Sequence, residues 1–191
     1  MNPVYPIALR LEGRPIVVVG GGAVAYRKAR GLVAAGALVT AVATSFAPAF
    51  RRLPANRTLA SFRAAHLRGA ALVFAATDNS AVNAAVARAA RARGIPVNIA
   101  DDPRGSDFHL PAVVRRGAVT VAVSTGGASP ALARRLRIEI GKWLGRDVAR
   151  LAESARKLRE TILGSDLPAP QRRALLRSAG RSLRTSLRKA L

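Results

Sequence analysis

The chain has 191 residues, with 32 Lys plus Arg against 10 Asp plus Glu, a formal net charge of +22 and no cysteine. Half of the residues are apolar and 22% are charged, which excludes the low hydrophobicity of a disordered chain and allows an ordinary core. The absence of cysteine excludes disulfides, thiolate zinc sites and cysteine nucleophiles, so a reducing cytoplasm is the expected compartment. The opening Met1-Asn2-Pro3 carries no basic region followed by an apolar stretch. The apolar and glycine run from Ile16 to Tyr26 is shorter than the roughly 18 residues a spanning helix needs, so no membrane partner is expected. The charge points either to an anionic partner or to compositional drift toward Arg.

In chain order, Ile16-Val17-Val18-Val19 followed by Gly20-Gly21-Gly22 reads as a strand covered on both faces and closed by a glycine turn. Ala23 to Ala35 continues as a helix with Gly36 just past its end, and Leu38 to Ala43 returns as a second buried strand. The unit has the length of a βαβ crossover. Residues 46–69 are the least legible, with a weak edge strand expected near Thr58 to Phe62. Ala70 to Ala75 is a strand, Ser80 to Arg93 a helix closed by Gly94, and Pro96 to Ile99 another strand, which together predict a doubly wound parallel sheet.

After Asp101 the pattern changes. A polar loop leads to a predicted β-hairpin, Ala112 to Arg115 and Val119 to Val123, flanking Arg116-Gly117. Ser129 as N-cap and Pro130 at the first helical position start a helix to about Leu144. Basic helices follow at about 147–163 and 170–189, and no acid occurs after Asp166. The expected fold is α/β, a Rossmann-type parallel sheet followed by a hairpin and helix segment and a small helical C-terminal domain. The expected boundaries are 1–112, 113–145 and 146–191.

Gly20-x-Gly22-x-x-Ala25 between strand and helix has the form of a dinucleotide fingerprint. Gly20 allows the tight turn, Gly22 lets backbone N–H groups approach a pyrophosphate, and Ala25 lets helix and strand pack closely. The acid that usually binds the ribose after the second strand is missing, and Thr44-Ser45 stands there. Arg51 and Arg52 read either as an exposed basic loop or as partners of a 2′-phosphate. Asp101 and Asp102 lie after a strand, where open α/β sheets place their ligand crevice. They read either as a proton acceptor or as turn residues before Pro103. Ser124 to Pro130 reads either as a strand-to-helix connection or as a loop that cradles an anion. His66 is expected at the surface, and His109 either lines a pocket beside the acidic loop or is structural. The two histidines and the absent cysteines suggest no metal site.

Four segments in order carry a resemblance: Gly20-Gly21-Gly22-x-Val24-Ala25-x-Arg27-Lys28; Ala76-Thr77-Asp78-Asn79-x-x-Val82-Asn83; Val97 to Asp102 with Pro103, Ser106, Asp107, Phe108, Pro111 and Ala112; and Ser124-Thr125-Gly126-Gly127-x-Ser129-Pro130-x-Leu132-Ala133. Across roughly residues 5–140 the chain resembles the precorrin-2 dehydrogenase and sirohydrochlorin ferrochelatase module of siroheme synthases. The resemblance implies NAD-dependent oxidation of precorrin-2 to sirohydrochlorin and, in bifunctional members, insertion of Fe2+. It places the essential aspartate on Asp101 as general base. Nucleotide contacts fall on Gly20, Gly21, Gly22, Ala23, Val24, Thr44, Ser45 and Thr77, and a family with no acid after the second strand accounts for Thr44-Ser45. Arg104, Arg115, Arg116, Thr125 and Gly126 are the expected contacts to the tetrapyrrole carboxylates. The resemblance also implies a homodimer built by the hairpin and following helix, and a helical tail over the tetrapyrrole cleft. Thr125 stands where some members carry serine, and the family's methyltransferase domain has no counterpart in this sequence. The competing readings are a Rossmann-fold oxidoreductase of another substrate and a basic nucleotide-sensing regulator of nucleic acid. The absence of an aromatic stacking array argues against nucleic acid as a partner.

Overall fold

The computed structural model describes residues 4–190, with side-chain surroundings given over 4–182. The chain divides into two compact units between His109 and Leu110. In the N-terminal unit the elements run β1 (Pro15–Val19), α1 (Ala23–Val33), β2 (Leu38–Ala43), β3 (Asn56–Leu59), β4 (Leu72–Ala75), α2 (Ser80–Arg91) and β5 (Val97–Ile99). The five strands form one sheet in the order β3-β2-β1-β4-β5, and every pairing is parallel.

The unbroken apolar run of β1 follows from burial on both faces. Ile16 and Val18 pack with Ala25, Ala29 and Leu32 of α1. Val17 and Val19 turn the other way, into a cluster with Val86, Ala87 and Ala90 of α2. Side chains alternate faces along a strand, so two helices covering opposite faces require apolar residues at every position. Each such side chain contributes on the order of 1.5–3 kcal/mol when fully buried. The strand order reverses direction between β1 and β4, and open α/β sheets hold ligands outside the carboxyl ends of the strands at such a point.

The edge strand differs from its expected position. β3 is Asn56–Leu59, in register with Thr40 to Ala43, and ends before Phe62. Phe62 instead packs from a loop against the Val17 cluster, so its apolar character reflects burial outside the sheet. The fourth strand starts at Leu72 rather than Ala70, because Ala70 and Ala71 make the entering turn through hydrogen bonds to Leu67 and Pro15 carbonyls. Two short 3-10 helices, Pro48–Arg52 and Ala64–Leu67, lie in the segment that carries no clear period.

The C-terminal unit contains the antiparallel hairpin β6 (Ala112–Arg116) and β7 (Val119–Val123), then α3 (Pro130–Trp143), α4 (Asp147–Leu163) and α5 (Ala169–Ala190). The Ser129 hydroxyl accepts from the Leu132 N–H at 3.2 Å and caps α3 ahead of Pro130, as the sequence predicts. Val114, Leu144 and Val148 form a small core with Val119, Val121 and Ile140. Among the described residues, no helix is long and apolar enough to cross a membrane.

Candidate dinucleotide-binding and catalytic site

The glycine turn after β1 is tight because two other chain segments press on it. Gly20 has φ +132°, and a Cβ there would lie 2.3 Å from the Ala76 carbonyl oxygen at the end of β4. A Cβ on Gly21 would lie 1.8 Å from the Ser45 carbonyl oxygen. The Gly21 carbonyl also accepts from the Ala47 N–H at 2.8 Å, so the turn is wedged between the loop after β2 and the end of β4. Space around Gly22 is open, and Gly22 caps α1 with no side-chain hydrogen bond. Helix starts carry unpaired N–H groups and a partial positive charge, which suits an anion approaching from that open side. Ala25 is fully buried against β1, while Ala23, Thr44 and Ser45 are exposed around the turn and Val24 is half-buried.

Thr77 is held from within. Its N–H and hydroxyl both donate to Asn83 Oδ1, at 3.1 and 2.7 Å, and the Asn83 amide donates back to the Thr77 carbonyl at 3.0 Å. Asn83 is buried, and this reciprocal clamp satisfies it. Asn79 caps α2 by accepting from the Val82 N–H.

The acidic loop after β5 separates its carboxylates by role. Asp107 Oδ2 accepts from the Val97 N–H at 2.9 Å, and Asp107 also pairs with Arg91, whose guanidinium reaches the Gly105 carbonyl at 2.5 Å. Asp102 Oδ1 accepts from the Gly105 N–H at 2.8 Å, a turn-forming role. Ser106 Oγ accepts from the Ile99 N–H at 2.9 Å. Asp101 differs from both. Its side chain makes no hydrogen bond or ion pair among the described residues, and at φ +61° it is the one non-glycine residue among them in the left-handed region. A side chain with a Cβ costs energy there, and such conformations persist where the surroundings impose them. Asp102 and Asp107 hold the loop, and Asp101 projects from it uncommitted.

Lys28 joins the site from α1, although the motifs of the sequence do not mark it as a site residue. Its ammonium donates to Asn98 Oδ1 at 2.7 Å, and Asn98, buried in β5, donates in turn to the Phe108 carbonyl at 2.9 Å. The ammonium lies 5.6 Å from the Phe74 ring centroid. Burial pushes the Lys28 pKa below the ordinary lysine value, Arg27 adds to the depression, and the Asp101 carboxylate opposes it. A signal was present in the sequence: Lys28 sits three residues after Ala25 and four before Leu32, on the core-facing side of α1.

The remaining expected residues are placed as follows. Arg104 is exposed on the Asp101 loop. Arg51 and Arg52 line an open hollow of about 430 Å³ with Tyr26 and Pro48. In the C-terminal unit Arg115 and Arg116 line a hollow of about 310 Å³ with Arg137 and Lys142. Arg116, however, is largely committed: its guanidinium donates to the Leu144 carbonyl at 3.2 Å and the Gly141 carbonyl at 2.6 Å, fastening the hairpin to α3. The Thr125 hydroxyl is engaged with the backbone of Ser129, and Gly126, at φ +61°, donates to Ser124 Oγ. His66 is half-buried, its Nδ1 accepting from the Arg63 N–H, which is a local structural role. His109 is half-buried at the end of the loop.

A parallel sheet with a glycine turn at an uncapped helix start defines a dinucleotide-binding α/β protein. Residues 7–112 match the family model NAD_binding_7, "Putative NAD(P)-binding", and residues 116–142 match Sirohm_synth_M, "Sirohaem biosynthesis protein central". The chain is 47% identical over 173 residues to "Siroheme synthase" of Methylococcus capsulatus, covering 88% of this chain and 36% of that protein. It is 45% identical over 157 residues to "Siroheme synthase 2" of Aeromonas salmonicida, covering 81% of this chain and 33% of that protein. The chain thus spans about a third of the length of these relatives. A solved structure titled "SirC, precorrin-2 dehydrogenase" superposes with a TM-score of 0.78 at 23% identity, covering 97% of this chain and 100% of that one, which shows a shared fold. The chain belongs to the NAD_binding_7 family.

Proposed function

We propose that the protein oxidises precorrin-2 to sirohydrochlorin with NAD. The observation that carries this reading is Asp101: an uncommitted carboxylate in a left-handed turn, at the same carboxyl edge of the sheet as the glycine turn. The siroheme synthase relatives supply the substrate class.

The residues present fit a dinucleotide. Gly22 leaves open space before α1, and no side chain occupies the helix start that would receive the pyrophosphate. Gly20, Gly21, Ala23 and Val24 line that approach, and Thr44 and Ser45 offer hydroxyls toward the ribose in place of an acid. Thr77 contributes backbone rather than its hydroxyl, which Asn83 occupies. NAD, when bound, supplies the hydride acceptor. Asp101 accepts the proton that the macrocycle gives up as its C–H hydride departs, so the substrate loses two electrons and two hydrogens in one oxidation. Where Fe2+ is the second substrate, the same carboxylate assists pyrrole N–H deprotonation, taking one proton at a time and passing it to solvent as the metal replaces two. Arg104, exposed on the Asp101 loop, meets the substrate's carboxylates through charge-assisted hydrogen bonds. The working form is a homodimer joined through the hairpin and α3.

The test is anaerobic turnover. Purified protein given precorrin-2 and NAD should form NADH, and Asp101→Asn should abolish this while retaining the circular dichroism spectrum and NAD affinity. Absence of NADH formation by the wild-type protein would overturn the reading.

A further inference from the structure

Arg51 and Arg52 are exposed and make no side-chain hydrogen bond or ion pair among the described residues, yet the backbone beneath them is firmly held. They end the 3-10 helix Pro48–Arg52, whose Phe50 is fully buried. The Phe50 ring meets Tyr26 of α1 edge-on, with centroids 5.5 Å apart, and Phe46 at 5.0 Å. Its N–H donates to the Ala47 carbonyl at 3.0 Å, and its carbonyl accepts from the Leu53 N–H at 3.2 Å. A turn pinned by a buried ring gives both guanidiniums a fixed base. The hollow of about 430 Å³ that they line with Tyr26, Pro48 and Ala49 is tied to the glycine turn on two sides. The Tyr26 N–H donates to the Gly22 carbonyl at 2.9 Å, and the Ala47 N–H, one residue before Pro48, donates to the Gly21 carbonyl at 2.8 Å. Ser45 lies against the same turn, its carbonyl oxygen filling the place of a Gly21 Cβ.

We propose that this hollow receives a phosphate on the 2′-oxygen of the cofactor's ribose, so that the oxidation runs with NADP as well as with NAD and NADP binds the more tightly. An acid after the second strand holds the ribose hydroxyl of NAD and repels a phosphate in its place, whereas a nearby arginine accommodates one. No acid occurs here between Glu12 and Asp78, Thr44-Ser45 stands where it is expected, and the two guanidiniums follow on the same loop. A phosphate monoester carries a charge of about −1.5 to −2 at neutral pH and matches the guanidinium fork through two parallel hydrogen bonds. Neither arginine has a carboxylate to release before it can form them. The phosphate lies at the adenosine end of the cofactor, away from the nicotinamide, so the oxidation itself is unaltered. The inference rests on the reading of the glycine turn as a dinucleotide site, and it requires neither Asp101 nor the tetrapyrrole.

The test is calorimetric titration of the full chain with NAD, NADP and two adenosine bisphosphates of equal charge, and it needs no turnover. NADP should bind about tenfold more tightly than NAD, and adenosine 2′,5′-bisphosphate about tenfold more tightly than its 3′,5′ isomer. The isomers separate a seated phosphate from general attraction to a chain of net charge +22. Arg51→Ala combined with Arg52→Ala should bring both ratios toward unity, and since both side chains are exposed the fold should be retained. Ser45→Asp, which supplies an acid after the second strand and keeps both arginines, should reverse the preference for NADP. Equal affinity for NAD and NADP in the wild type, equal affinity for the two isomers, or ratios that survive the double substitution would each overturn the inference. A preference for NADP in a protein that forms neither NADH nor NADPH from precorrin-2 would leave the phosphate site standing and overturn the proposed reaction. NADH formation without any preference for NADP would overturn the phosphate site alone, and binding of neither dinucleotide would overturn both.

Discussion

Asp107 and Val97 exchange two hydrogen bonds: the Val97 N–H donates to Asp107 Oδ2 at 2.9 Å, and the Asp107 N–H donates to the Val97 carbonyl at 2.8 Å. This closes the loop that carries Asp101 onto the start of β5. A carboxylate that accepts from a buried strand N–H is hard to replace, because removing it leaves that donor unpaired.

Asp107→Ala should therefore lower stability by about 1–3 kcal/mol in urea unfolding, with little change in the denaturant slope. Arg91→Ala, which removes an exposed ion pair but leaves the Val97 bond intact, should cost less than Asp107→Ala. Equal losses from the two would place the energy in the ion pair rather than in the backbone bond.

Asp101 should show opposed demands of stability and function. Glycine reaches φ +61° without the steric cost a Cβ imposes, so Asp101→Gly should raise stability by roughly 1 kcal/mol while abolishing NADH formation. Asp101→Val, β-branched in a left-handed conformation, should destabilise by more than this gain. Thermal unfolding of the two variants checks both signs.

The parts of this fold that were legible in the sequence are those where burial imposes a period. β1, α1 and β2 are readable because Ile16 to Val19 must be apolar on both faces, whereas Phe50 and Leu67 are buried, and Phe62 partly buried, from 3-10 turns and a loop, where no period exists to be read. The site was legible to the level of the loop and no further. Asp101 and Asp102 are neighbours of identical chemistry, and only the backbone separates the turn-forming carboxylate from the free one. Arg116 looked equivalent to Arg115 because the carbonyls of Gly141 and Leu144 that hold it lie 25 and 28 positions away.

The glycine turn offers a test of cofactor binding separable from folding. At Gly21 an added methyl meets backbone oxygen at 1.8 Å, which no rotamer can relieve, so Gly21→Ala should lose both stability and NAD affinity. At Gly22 the methyl meets nothing, so Gly22→Ala should unfold within about 1 kcal/mol of wild type yet bind NAD at least tenfold more weakly, since the added group stands where the pyrophosphate approaches. Calorimetric titration with NAD, paired with thermal unfolding, distinguishes the two. Unchanged NAD affinity in Gly22→Ala would remove the helix start from the cofactor site.

Lys28 should also leave a signature in the pH dependence of stability. Its native pKa lies below the value of 10.5 that it regains on unfolding. Between those two values the unfolded chain binds more protons than the native one, so this group's contribution to stability rises with pH across that window. The physical content is that the native state must hold a partly buried ammonium at low pH and is relieved of it as the proton leaves. The quantity to follow is the difference in unfolding free energy between wild type and Lys28→Met. That difference should move in favour of wild type as pH rises from neutrality toward 10.5, and a flat difference would mean that Lys28 titrates as it does in water.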